Sequence, residues 1–204
     1  MYGGKISGNT AENGGAVAQI NEVSNKIGKD GNLIMYGGEI SGNTATENGG
    51  AVYSHFSYCY TTMNGGIISG NHAGQNGGGF YVSRIGGIRM NHGEIKDNTA
   101  TENGGGIYFD DSNRAYLLGG TISGNSAAKG GGVYLNDQQF TLWSITITGN
   151  TASKEGGGFW INTTSPYTLV ANSPYIYGNS TTGIAPNIYL GSKNTAFKST
   201  IRMK

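Results

Sequence analysis

The chain has 204 residues, a formal net charge of +1 and only 12% charged residues, so it carries no basic field for nucleic acid or an anionic membrane and no acidic tail. Glycine is the outlier at 38 residues against 3 prolines, and it does not fall at every third position, which excludes collagen. A 36% hydrophobic share with 13 tyrosines excludes a disordered polar chain, and no apolar run reaches the roughly 18 residues of a membrane-spanning helix.

In chain order, the first element opens a repeat. "GGKISGNTA" starts at Gly3 and returns as "GGEISGNTA" at Gly37, "GGIISGNHA" at Gly65, "HGEIKDNTA" at His92 and "GGTISGNSA" at Gly119. It continues as "SITITGNTA" at Ser144 and "SPYIYGNST" at Ser173. Each copy centres on an isoleucine between polar residues: Ile6, Ile40, Ile68, Ile95, Ile122, Ile147 and Ile176. Period two predicts a strand with the isoleucine inward.

Next, 11 or 12 residues on, a glycine corner leads into Val17, Val52, Phe80, Ile107, Val133, Phe159 and Ile188. These open runs such as "GGGIYF" and "EGGGFWI". A third extended run precedes the next corner ("NLIMY", "YTTMN", "GIRMN", "AYLLG", "FTLWS", "YTLVA") and adds Met1, Met35, Met63, Met90, Leu117 and Leu142 to the inward set. The intervening "GN" and "NGG" stretches are turn chemistry, since Gly and Asn tolerate positive φ. No apolar helical spacing survives beyond one turn.

Three short strands per unit of about 27 residues, with equivalent positions in register, predict an all-β right-handed parallel β-helix (β-solenoid) of about seven rungs. Right-handedness follows the crossover rule for parallel strands. An antiparallel sandwich or barrel would not align equivalent positions across repeats. Residues 1–204 read as a single β-helix domain, a slice of a larger repeat protein: "MYGG" at Met1 repeats at Met35, inside a rung, and no distinct end cap is visible. Uncapped rungs would permit end-to-end self-stacking.

Two columns draw attention. Asn9, Asn43, Asn71, Asn98, Asn125, Asn150 and Asn179 stack at one turn, where amides can hydrogen-bond along the rod as a structural ladder. In the strand after the glycines, the residue between two inward positions must face out. That slot holds Ala18 and then Tyr53, Tyr81, Tyr108, Tyr134, Trp160 and Tyr189. Stacked aromatics stabilise strands, and a contiguous exposed ring platform also marks a binding face. Flat rings with polar neighbours suit the apolar faces of a glycan, or a protein partner.

Polar residues border that column: His55, Arg84, Asp110, Asp111, Asn136, Asp137 and Asn162. Asp110, Asp111 and Asp137, with Asn136, are the ligand-binding and acidic candidates. Their oxygens suit Ca²⁺ as the one cofactor to consider, and their carboxylates suit a polysaccharide-active lyase or hydrolase. No catalytic residue set stands out: there is no H-E-x-x-H, no C-x-x-C and no G-K-[ST] after the glycines. The column Thr10, Thr44, His72, Thr99, Ser126 and Thr151 raises ice binding as a further alternative, but a second parallel Thr column is missing. Cys59 is the only cysteine, which excludes an internal disulfide.

The pairing of "ISGN" with "GGAV" and "GGGF" resembles chlamydial polymorphic outer-membrane proteins, which repeat FxxN and GGA[ILV] motifs, and bacterial surface proteins with right-handed parallel β-helix repeats. The likeness spans nearly the whole chain, with Ile in place of Phe and GGG in place of GGA in four rungs. It implies an adhesin-like, non-enzymatic scaffold at the extracellular side or cell surface of a bacterium, with a glycan or a host or neighbour-cell surface protein as partner.

Overall fold

The computed structural model describes residues 1–20, 32–55, 60–84, 86–110, 114–136, 140–162 and 169–190. Every strand pair among them is parallel, and every strand lies in one of three sheets. The chain is an all-β parallel solenoid, and no helix occurs among the described residues.

The first sheet holds the isoleucine strands, from Lys5–Ser7 and Glu39–Ser41 to Thr146–Thr148 and Tyr175–Tyr177. Their register sets isoleucine on isoleucine, Ile6 on Ile40, Ile40 on Ile68, Ile68 on Ile95, and so on to Ile147 on Ile176. The second sheet stacks seven strands, from Val17–Ile20 to Ile188–Leu190. The third also stacks seven, from Thr10–Ala11 to Ser180–Thr181, five of them two residues long and two longer, Ser126–Lys129 and Thr151–Glu155.

Three strands per rung are present, but their membership differs from the expected one. The run before each corner does not form its own sheet; it joins the isoleucine strand in the first sheet. In Tyr60–Ser69 and Gly87–Lys96 the two runs are one strand through the glycines. The third sheet is the Thr–Ala pair, which the sequence presents as a turn. Two residues are too few to show alternation, so period-two reading passes over them. The second and third sheets each stack seven strands, and the solenoid makes about five turns of about 27 residues, somewhat fewer than the seven rungs expected.

Inside the coil, Ile40, Ile68, Ile95, Ile122, Ile147 and Ile176 are fully buried, with Met35, Met63, Met90, Phe80, Phe109 and Phe159. Each such side chain contributes about 1.5–3 kcal/mol by leaving water. The glycine corner has a steric cause. A Cβ on Gly105 would lie 2.4 Å from the carbonyl oxygens of Gly131 and Ser126, closer than any side chain tolerates. The chain must turn there against the backbone of the next coil, and this tight approach places the outward residue of the second sheet at one height in every rung.

Candidate functional site

The second sheet brings the aromatic slot into one line. Tyr53 pairs with Tyr81, Tyr81 with Tyr108, Tyr108 with Tyr134, Tyr134 with Trp160 and Trp160 with Tyr189. Ala18 lies opposite Tyr53 at the start. Successive ring centroids are 5.1, 5.2, 5.0, 4.1 and 5.9 Å apart. Interplanar angles run from 5° to 17°. In-register strands at about 4.8 Å leave rings no room except parallel to one another.

That geometry changes the expected platform. The ring faces are spent on each other, and solvent meets ring edges and phenol oxygens. The tyrosines from Tyr53 to Tyr134 are half-buried, and Trp160 is only 7% exposed. Trp160 Nε1 donates to Glu155 Oε2 at 2.9 Å, Lys129 Nζ sits 5.4 Å from its ring centroid, and Lys129 pairs with Glu155 at 3.2 Å. This ion pair covers the indole along one side. Burial works to raise the Glu155 carboxyl, but the Trp160 and Lys129 hydrogen bonds outweigh it and hold it below the usual range.

The opposite border is a second register line, with Ser83 on Asp110, Asp110 on Asn136 and Asn136 on Asn162. Asn136 Nδ2 donates to Asp110 Oδ1 at 3.2 Å. His55 Nδ1 lies 2.5 Å from Ser83 Oγ, and its ring stands 5.5 Å from that of Tyr53. Burial, then the Arg84 charge, lowers the His55 pKa against the pull of Asp110. Arg84 holds a left-handed φ of 58°. Asp111 and Asp137, like Cys59, lie outside the described residues.

Burial, then the Asp110 charge, pushes the phenols of Tyr81 and Tyr134 up to about 12. Tyr108 moves in the same direction for the same two reasons. The phenols therefore stay protonated at neutral pH and present a row of hydrogen-bond donors.

The asparagine column lies inside the coil, against the glycines that lead into the second sheet: a Cβ on Gly106 would lie 3.2 Å from Asn125 Cγ and Nδ2. Nδ2 of Asn9, Asn43, Asn71, Asn98, Asn125 and Asn150 each donates to Oδ1 of the next at 2.9–3.0 Å. From Asn43 on, Nδ2 also reaches the isoleucine carbonyl of the coil before, as Asn98 does to Ile68 O at 3.0 Å. Asn179 ends the line on Asn187 Oδ1 at 3.1 Å.

A second asparagine ladder escaped sequence reading. Asn48 donates to Asn13 at 3.3 Å, Asn76 to Asn48 at 3.2 Å and Asn103 to Asn76 at 2.8 Å. Its amides point the opposite way along the rod, and it gives way to Lys129 and Glu155. Its signal is the Asn before the glycines in "ENGG" and "QNGG", which turn chemistry had already explained. A stacked pair, Tyr2 with Tyr36, was also missed; its signal is the twice-written "MYGG".

A continuous parallel coil with an amide ladder and an outer ring column defines a bacterial-type parallel β-helix repeat protein. The chain belongs to the family described as periplasmic copper-binding protein (NosD), whose profile matches residues 7–197. The periplasmic description agrees with a location in the bacterial cell envelope or outside the cell. No curated protein and no solved structure matches the chain. Among the described residues, no helix is long and apolar enough to cross a membrane.

Proposed function

We propose that the chain is an adhesin-like envelope scaffold whose second sheet offers the aromatic ladder, edge-on, to an extended hydroxyl-rich chain, a glycan in preference to a protein. The carrying observation is the in-register column from Tyr53 to Tyr189, with ring centroids 4.1–5.9 Å apart. A straight row of phenols repeating at the rung interval matches a ligand that itself repeats, as a linear glycan does. Asp110 and Asn136 add a carboxylate and an amide beside the row, the polar groups that fix orientation in sugar sites.

The family description raises copper, and the described residues do not fit it. No group of three or more His, Cys, Asp or Glu is gathered among them. His55, His72 and His92 stand on three different sheets. The methionines Met35, Met63 and Met90 are sealed in the core at 0% exposure, where an ion would have to shed its water. The calcium and lyase-like alternatives rest on Asp111 and Asp137 as well as Asp110, and within the described residues Asp110 alone is placed, with Asn136 as its partner. The Thr column shows one outward residue per rung, narrower than an ice-binding face needs.

The test is a glycan-array screen of the wild type against a Tyr108→Phe, Tyr134→Phe variant. Phenylalanine keeps the stack and removes the hydroxyls. The proposal expects the wild type to bind and the variant to lose binding. Full retention by the variant would sink the edge-on hydroxyl reading, and no binding by the wild type would move the assignment to a protein partner.

A further inference from the structure

Tyr2 and Tyr36 stand away from the ladder, at the corner after the methionine column. Tyr36 N donates to Met1 O at 2.8 Å, which sets the two residues on adjacent coils at one height. Their rings stack with centroids 4.8 Å apart and planes 6° from parallel. They are also open to solvent, at 84% and 51% exposure. The core does not require them: the same corner in the next two coils holds Asn64 and Asn91, joined side chain to side chain at 2.7 Å.

The geometry points to an oxidative cross-linking site: Tyr2 and Tyr36 are joined as dityrosine by a peroxidase-type one-electron oxidant that consumes hydrogen peroxide. Each phenol gives up one electron and one proton and becomes a phenoxyl radical. The two radicals pair through ring carbons ortho to oxygen, forming one carbon–carbon bond. The ortho hydrogens then move to the oxygens as the rings regain aromaticity. Per link, two phenols and one hydrogen peroxide yield one dityrosine and two waters.

Parallel rings at the same corner of adjacent coils, 4.8 Å apart, bring their ortho carbons near each other without backbone movement, so pairing within the chain outruns encounter between chains. The ladder tyrosines also stack, at 5.0–5.2 Å, but they are half-buried and show the oxidant only their edges. With a single cysteine the chain has no internal disulfide open to it, and a phenol link is a covalent staple that needs no cysteine. It would tie the first coil to the second. The inference stands on this pair alone and is independent of the glycan reading.

The experiment treats dilute purified protein with a haem peroxidase and hydrogen peroxide. Dityrosine fluorescence, the mass of the intact monomer and peptide mapping are followed. The expected result is a monomer lighter by two hydrogens, with the link mapped to Tyr2 and Tyr36. Tyr2→Phe and Tyr36→Phe keep a stacking ring and should each lose nearly all of the linked monomer. An unchanged monomer mass, a link that maps to the ladder, a link that survives in Tyr36→Phe, or dimers as the only product would each overturn the assignment.

Discussion

The coils up to Gly120 and the coils after it turn the same corner with different atoms. In the earlier group a methionine of one coil lies under a glycine of the next. A Cβ on Gly38 would meet Met1 Cε at 2.7 Å, on Gly66 it would meet Met35 Cε at 3.0 Å, on Gly93 Met63 Cε at 3.1 Å and on Gly120 Met90 Cε at 2.6 Å. Those glycines also hold φ between +85° and +104°. In the later group the methionine column continues as Leu117 and Leu142, and the corner becomes Ile145, fully buried, and then Pro174. The long thioether and the absent side chain form one packing unit across two coils. A shorter leucine returns volume, and the isoleucine fills it, because interiors are packed to crystal density.

The largest expected effect concerns what the two groups share. The buried amide ladder runs through both, so Asn98→Leu and Asn150→Leu should each cost about 3–5 kcal/mol. Asn98 accepts from Asn71 N and Nδ2 and donates to Ile68 O and Asn125 Oδ1, and the substitution strands several of these groups at once. Urea unfolding measures it. A cost below about 1 kcal/mol at either position would mean that the ladder is not a common spine.

A swap of the corner chemistry comes next. Leu117→Met conserves volume but lengthens the side chain towards Ile145, so it should cost about 1 kcal/mol. In an Ile145→Gly background the same change should cost less or stabilise, with a coupling of about 1–2 kcal/mol in a double-mutant cycle. Additive effects would show the two positions to be independent.

A polar residue sharpens the contrast further. Ser54 Oγ is buried in an early coil and has no hydrogen-bond partner among the described residues, while Val82 occupies the same inward line one coil on. Ser54→Val should therefore raise stability by about 1 kcal/mol, read from the unfolding midpoint. A loss of stability would show that the hydroxyl has a partner after all.

The mildest effect is alkaline. Tyr81 and Tyr134 titrate at about 12 in the fold and at about 10 in the unfolded chain. The folded state keeps a proton that the unfolded state has lost. Their contribution is complete below about pH 10 and disappears as pH rises through about 12. Unfolding midpoints across that window should fall for the wild type and fall less for Tyr81→Phe, Tyr134→Phe. Equal slopes for the two proteins would contradict the burial of these phenols.

Much of the fold was legible in the chain. The isoleucine between polar neighbours, written seven times, states a strand and its inward face. The "GGGIYF" pattern states which residue faces out. The Thr–Ala strands were not legible, because two residues carry no period. The second asparagine ladder hid inside "NGG", where the turn preference of Asn accounts for the residue without a partner. The orientation of the rings was likewise hidden: a slot says that a tyrosine is outward, not that its face is turned to the next tyrosine.

By itself the sequence determined the repeat, the parallel register and the division into inward and outward columns, because these follow from local alternation repeated at near-constant length. Only the tertiary structure decided which atoms of one coil answer those of the next. The opposed directions of the two amide ladders, the edge-on presentation of the aromatics and the fit of Met90 against Gly120 all join residues about one coil apart. Their physical reason is the strand spacing of about 4.8 Å, which forces neighbouring side chains into contact and leaves each position to be read against its counterparts above and below.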